Sequence, residues 1–162
     1  MAEILEFDKM FYTNFEPKMK NRYVMEIDTI PSYLVKAANR PTIQFETVTL
    51  DHINVKRKLQ GKGDWQDITI TLYDPIVPSG AQQVMEWVRT HYEPVSGRSG
   101  YADFYKRDIQ LKMLDPVGTV VELWDIKGAQ ITQANFNDLS YDGEEAQEIA
   151  LTIQPDNCIL QY

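Results

Sequence analysis

The chain has 162 residues, of which 43% are hydrophobic and 11% aromatic. That is enough apolar material for one packed domain, and too much for a disordered chain. Its formal net charge is −8, and the 48 residues from Asp115 to Tyr162 hold nine acids against one base, Lys127. A surface that binds nucleic acid needs a basic patch to neutralise phosphates, so the charge distribution argues against DNA binding.

No apolar run reaches the roughly 20 residues of a membrane-spanning helix. The start, Met1-Ala2-Glu3-Ile4-Leu5-Glu6-Phe7-Asp8, has no basic region followed by an apolar one. It therefore predicts no secretory leader and no membrane anchor. The single cysteine, Cys158, rules out an internal disulfide and suits a reducing compartment.

Residues 1–20 read as an N-terminal arm with scattered aromatics, Phe7, Phe11, Tyr12 and Phe15. A single domain is expected over 21–162. Residues 22–28 alternate, with Tyr23, Met25 and Ile27 on one side, which predicts a strand. Tyr33–Ala38 reads as a second short strand, and Arg40-Pro41 as a turn or edge. Residues 43–50 are rich in Val and Thr and predict a third strand.

The segment that follows is unusual. Lys56-Arg57-Lys58-Leu59-Gln60-Gly61-Lys62-Gly63-Asp64-Trp65 is basic and broken by glycines. It reads as an extended arm over about 51–64, solvated in the free subunit, that feeds a strand. That strand, residues 66–73, alternates cleanly, with Ile68, Ile70 and Leu72 facing one way.

One helix is predicted after Pro78. Ser79 and Gln82 have capping-box spacing. Val84, Trp87, Val88 and His91 then form one stripe at i, i+3, i+4 and i+7. Trp87 is expected in the core and His91 at the helix end. Residues 94–103 read as a loop. Residues 108–114 and 119–126 form a hairpin around Asp115-Pro116-Val117-Gly118. A strand around 130–136 and a last strand over 147–153 complete the chain. The sum is a mainly β, antiparallel sandwich or barrel of seven to eight strands with one flanking helix.

The sequence carries no nucleophile elbow, phosphate-binding loop, dinucleotide fingerprint or zinc-protease motif. The only histidines are His52 and His91. Asp138–Glu145 misses the spacing of a calcium loop and reads as an acidic turn. No catalytic, cofactor or metal site is predicted.

Several segments in order resemble the tail tube proteins of contractile-tailed bacteriophages. They are Asn21–Ile27, Val35–Pro41, Lys56–Leu72, the helix Trp87, Tyr105-Lys106, Leu114–Gly118, Trp124–Ala129 and Gln147–Ile153. The run after Gly128-Ala129 departs from the family, with Gln130-Ile131-Thr132 where many relatives place a proline.

The resemblance implies a structural protein without enzymatic activity or cofactor. It implies hexameric rings stacked into a hollow tube inside a contractile sheath. Partners would be further copies of the chain, the sheath protein, and baseplate and terminator proteins. The place would be the virion tail, assembled in the host cytoplasm, with DNA passing through the lumen unbound.

Within that picture Lys56, Arg57, Lys58, Lys62 and Trp65 become candidates for contact with a neighbouring subunit. Asp142, Glu144 and Glu145 are their candidate partners. Two other readings stand beside this one. One is the tube of a secretion-type contractile injection system. The other is a carbohydrate-binding sandwich using Tyr101, Phe104 and Tyr105 as a platform.

Overall fold

The computed structural model describes residues 15–162. The proposed N-terminal arm therefore lies largely outside the described residues, Phe7, Phe11 and Tyr12 included. The described residues hold eleven strands, which we number in chain order. β1 (Tyr23–Ile27), β2 (Val35–Ala38), β5 (Ile68–Tyr73), β8 (Arg107–Leu114), β9 (Val120–Asn135), β10 (Glu148–Gln154) and β11 (Asn157–Leu160) form the main sheet. Its order is β1-β8-β9-β10-β5-β2, with β11 pairing β9 beside the end of β10. All these pairings are antiparallel.

The alternating apolar positions of the strands face inward. Met25, Ile27, Ile68, Ile70, Leu72, Ile109, Leu111, Ile149, Leu151 and Ile153 are buried in one cluster. The sheet curls around that cluster until its two edge strands approach. The Tyr23 hydroxyl on β1 donates to the Lys36 carbonyl on β2 at 2.8 Å. The result is a barrel closed by a side chain rather than by a ladder.

β9 is one strand of 16 residues, where two strands separated at Gly128-Ala129 were expected. Its first half pairs β8 and β11, and its second half pairs β10. Gly128 sits between the halves at φ +64, a left-handed conformation that glycine adopts freely. The glycine is a bend inside a strand and not a break. β11 is an element the sequence did not suggest.

α1 (Gly80–His91) flanks the barrel, with Val84 and Trp87 fully buried. The Trp87 indole N–H donates to the Tyr105 carbonyl at 2.8 Å. The expected capping box does not form, because Ser79 makes no side-chain cap. The Asp74 carboxylate takes that place and accepts from Ala81 N–H at 3.2 Å. A two-residue ladder, β6 (Tyr92–Glu93) with β7 (Arg98–Ser99), and a short helix α2 (Ala102–Tyr105) follow in the predicted loop.

His91 is held on both sides. Its ring packs 4.5 Å from Tyr105, nearly parallel. Its Nδ1 faces the Trp87 carbonyl at 3.1 Å, and its Nε2 accepts from Ile131 N–H at 3.2 Å. The second bond requires a neutral ring. Burial holds the imidazole below its ordinary pKa, against a raising contribution from the Trp87 carbonyl and together with the nearby Arg107 charge.

Candidate assembly interface

The basic segment is not a solvated loop. β3 (Ile43–His52) and β4 (Val55–Trp65) pair along their whole length as a separate two-stranded hairpin. The predicted arm over 51–64 is thus the end of β3, a two-residue turn at Ile53-Asn54, and β4. At about 3.3 Å per residue the hairpin reaches roughly 30 Å from its base.

The register divides its side chains into two faces. Val48 opposes Leu59, Leu50 opposes Arg57, and His52 opposes Val55. On the other face Thr47 opposes Gln60, Thr49 opposes Lys58, and Asp51 opposes Lys56. An irregularity between Phe45 and Thr47 separates this half from the base. There Ile43 and Phe45 lie against Gly63, where an added Cβ would meet the Phe45 ring at 2.9 Å.

Every residue of β3 is exposed, as are Lys56, Arg57, Lys58 and Lys62. The apolar side chains are exposed with them, Val55 to 69%. A lone two-stranded hairpin is marginal in water. An apolar face on one, carried clear of the body, is a surface that awaits a partner.

Trp65 is also engaged within the chain. It packs edge-on against Trp124 at 6.4 Å between ring centroids, and its indole N–H donates to Asn157 Oδ1 at 3.1 Å. These contacts anchor the hairpin base to β9 and β11.

Behind it lies Glu122, the one charged residue buried among the described residues. It receives Lys18, Arg40 and the Trp124 indole N–H. Burial alone would raise its pKa. The Lys18 ammonium and the indole N–H reverse that and leave the carboxyl below its usual range. Glu122 and Arg40 were not picked out by sequence, since neither stands in a recognisable pattern.

The acids proposed as partners stand on one loop, residues 136–147, between β9 and β10. Asp142, Glu144 and Glu145 are exposed there. The loop is pinned at both ends. Asn137 Nδ2 donates to the Glu148 carbonyl at 2.8 Å, and Gln147 Nε2 donates to the Phe136 carbonyl at 2.7 Å. Among the described residues no ion pair joins this loop to Lys56, Arg57, Lys58 or Lys62. The two groups the sequence brought together are apart within one chain.

Nor does the acidic C-terminal third form one surface. Glu122 is buried, and Asp125 accepts from Gln110 and Gln161. Asp115 caps its own turn through Val117 and Thr119 N–H groups at 2.9 and 2.7 Å.

The outward faces of the main sheet differ. On β5, β10 and the end of β9 the rows read Thr152 beside Thr69 and Gln133, and Gln154 beside Gln130. This patch carries mostly hydroxyls and amides, and the Glu148 carboxylate at its end is paired with Lys36 of β2. Across β1, β8 and the start of β9 the outward charges are paired, Lys112 with Glu26 at 2.7 Å and Lys127 with Asp108 at 2.9 Å.

The aromatic platform for sugar does not form. Tyr105 turns inward to stack on His91, and Tyr101 and Phe104 tilt 54° to each other. Tyr101 and Phe104 remain exposed, so the three rings do not form one shared surface. Among the described residues no group of three or more metal-ligating side chains gathers.

No family model and no curated protein matches the chain. Solved structures do. A chain of an extracellular contractile injection system, described as the PVC sheath/tube terminator in its extended state, aligns with a TM-score of 0.74 at 16% identity. The alignment covers 93% of this chain and 100% of the other. The tube-terminating cap of the anti-feeding prophage aligns at 0.74 with 17% identity, over 97% of this chain and 99% of that one. A chain of the PVC sheath–tube complex aligns at 0.71 with 15% identity, over 98% and 99%.

The fold is therefore the one found in tube and tube-terminator structures of contractile injection systems. This is the class to which the resemblance in sequence pointed.

Proposed function

We propose that the chain is a structural subunit of a contractile tail, building a hollow tube from stacked six-membered rings. The observation that carries this reading is the hairpin. The barrel completes its own core, yet Ile43–Trp65 projects from it with exposed apolar and basic side chains. Such an element contributes little to a monomer. In an assembly it joins neighbours, and Lys56, Arg57, Lys58 and Lys62 meet acids of another copy, among them Asp142, Glu144 and Glu145. Exposed pairs contribute about 0–1 kcal/mol each, but the contact recurs at every subunit. The chain's role is architectural and not enzymatic.

The Thr and Gln face of β5, β9 and β10, whose one acid, Glu148, is paired with Lys36, is the surface we assign to the passage. Hydroxyls and amides offer phosphates no fixed positive charge, so DNA crosses such a lining without being held. The sheath, baseplate and terminator are the further partners, and the virion tail is the location.

A second reading has a specific observation behind it. Two of the matched structures come from an extracellular contractile injection system and a third is the tube-terminating cap of the anti-feeding prophage, which favours a tube or terminating cap of that kind.

Sedimentation of the purified chain tests the assembly common to both readings. Rings or longer stacks are expected; a monomer at all concentrations would contradict it. DNA protected from nuclease inside particles from the native source would favour the phage tail, and its absence the injection system.

A further inference from the structure

The hairpin and the acidic loop stand at opposite poles of the barrel. The hairpin base joins the start of β5, where Gln66 N–H donates to the Thr42 carbonyl at 2.9 Å and Asn39 N–H to the Thr69 carbonyl at 3.2 Å. The 136–147 loop joins the other end of β5, where Glu148 pairs Tyr73 and Asp74 N–H donates to the Gln147 carbonyl at 3.1 Å. The six residues of β5 separate these poles by about 20 Å.

Both poles carry the same pairing of charge with exposed apolar side chains, in opposite sign. The outer hairpin, residues 47–62, holds four bases and one acid beside Val48, Leu50, Val55 and Leu59. The loop holds Asp138, Asp142, Glu144 and Glu145 with no base, beside Leu139 and Tyr141. Leu139 is 87% exposed and Tyr141 fully exposed. A turn at Ser140–Gly143 presents them, with Asp142 N–H on Ser140 Oγ at 3.3 Å.

Resting on the tube-subunit reading, we infer that the 136–147 loop of a second copy is what covers the apolar face of the hairpin. Leu139 and Tyr141 seat against Val48, Leu50, Val55 and Leu59, and the acids around them meet Arg57 on that face, with Lys56 and Lys58 flanking it from the opposite face. The hairpin and the loop are two different surfaces at opposite poles, so copies stacked in one direction present one to the other. They meet head to tail, and a head-to-tail contact propagates. The hairpin thus reaches along the stack to the next copy, and the aromatic and aliphatic anchors carry more of the affinity than the ion pairs around them.

Two single-cysteine additions test this, Leu59→Cys in one preparation and Tyr141→Cys in another. The native Cys158 is buried and its thiol is pushed up to about 11, so it stays out of the reaction. The two preparations are mixed, assembled and treated with a short bismaleimide, with wild-type assembly followed alongside. A covalent dimer in the mixture and in neither preparation alone is expected. Assemblies that form without that dimer would overturn the inference and leave the subunit reading standing. Failure of the wild type to assemble would remove both. Tyr141→Ser, at a fully exposed position, should raise the concentration needed for assembly by about tenfold, the effect of one interface anchor. An unchanged threshold would contradict the inference.

Discussion

Arg40 and Glu122 lie 3.6 Å apart, and through that contact the entry to the hairpin is tied to the body of the barrel. Lys18 reaches the same carboxylate from the segment before β1. One buried acid on β9 thereby holds two segments that lead outward. Glu122→Ala leaves the Trp124 indole N–H without its acceptor and releases both cations to water. The partners are half-exposed, so the cost is that of one buried polar group, about 1–3 kcal/mol. Urea denaturation should show that loss, and trypsin should cut faster after Lys18 and Lys20. An unchanged midpoint would show that the carboxylate does not hold the fold.

Gly128→Ala probes the bend in β9. The new Cβ would come within 2.3 Å of Asp156 Oδ2, at a φ of +64. Asp156 can swing away, at the loss of its 2.6 Å contact with Lys106. The left-handed backbone cannot be relieved so easily and costs about 1–2 kcal/mol. A matching fall in thermal stability is expected. Full retention would mean that the two ladders of β9 tolerate a different bend.

His91 makes stability depend on pH in a definite direction. Its folded pKa is below the ordinary value near 6.5, so the unfolded chain binds the proton first as pH falls. Stability from the neutral ring is complete above about 6.5 and declines as pH drops toward the folded pKa. Protonation would also remove the acceptor for Ile131 N–H. Denaturation midpoints between pH 7.5 and 5 should fall for the wild type and fall less for His91→Gln. Equal slopes would assign the acid sensitivity elsewhere.

The barrel strands were legible because each has one face on a core within the same chain. β5 and β8 show that as clean alternation, and α1 as a stripe through Val84, Trp87 and Val88. The hairpin was half-legible for the opposite reason. β3 showed its Val and Thr, but β4 buries only its last residue, Trp65, against its own chain, so its basic residues gave no alternation to read. Its turn was also disguised. Ile53 takes φ +52, a conformation where Asn or Gly is the usual sign of a two-residue hairpin turn. The position of Trp65 among basic residues suggested an outward role, whereas its packing on Trp124 depends on a strand contact that only the fold supplies. Leu139 and Tyr141 sat in a run that read as a polar turn, and their exposure marks them only once the loop is seen pinned at both ends.

The account stands on the hairpin as the element that joins subunits. Charge reversal at Lys56, Arg57 and Lys58 together, compared with the wild type by negative-stain electron microscopy, tests it most directly. These side chains are exposed and distant from the core, so the variant should keep the wild-type circular dichroism and thermal midpoint. It should form few or no tubes under conditions where the wild type forms long ones. Tubes of wild-type length from the variant would contradict the account.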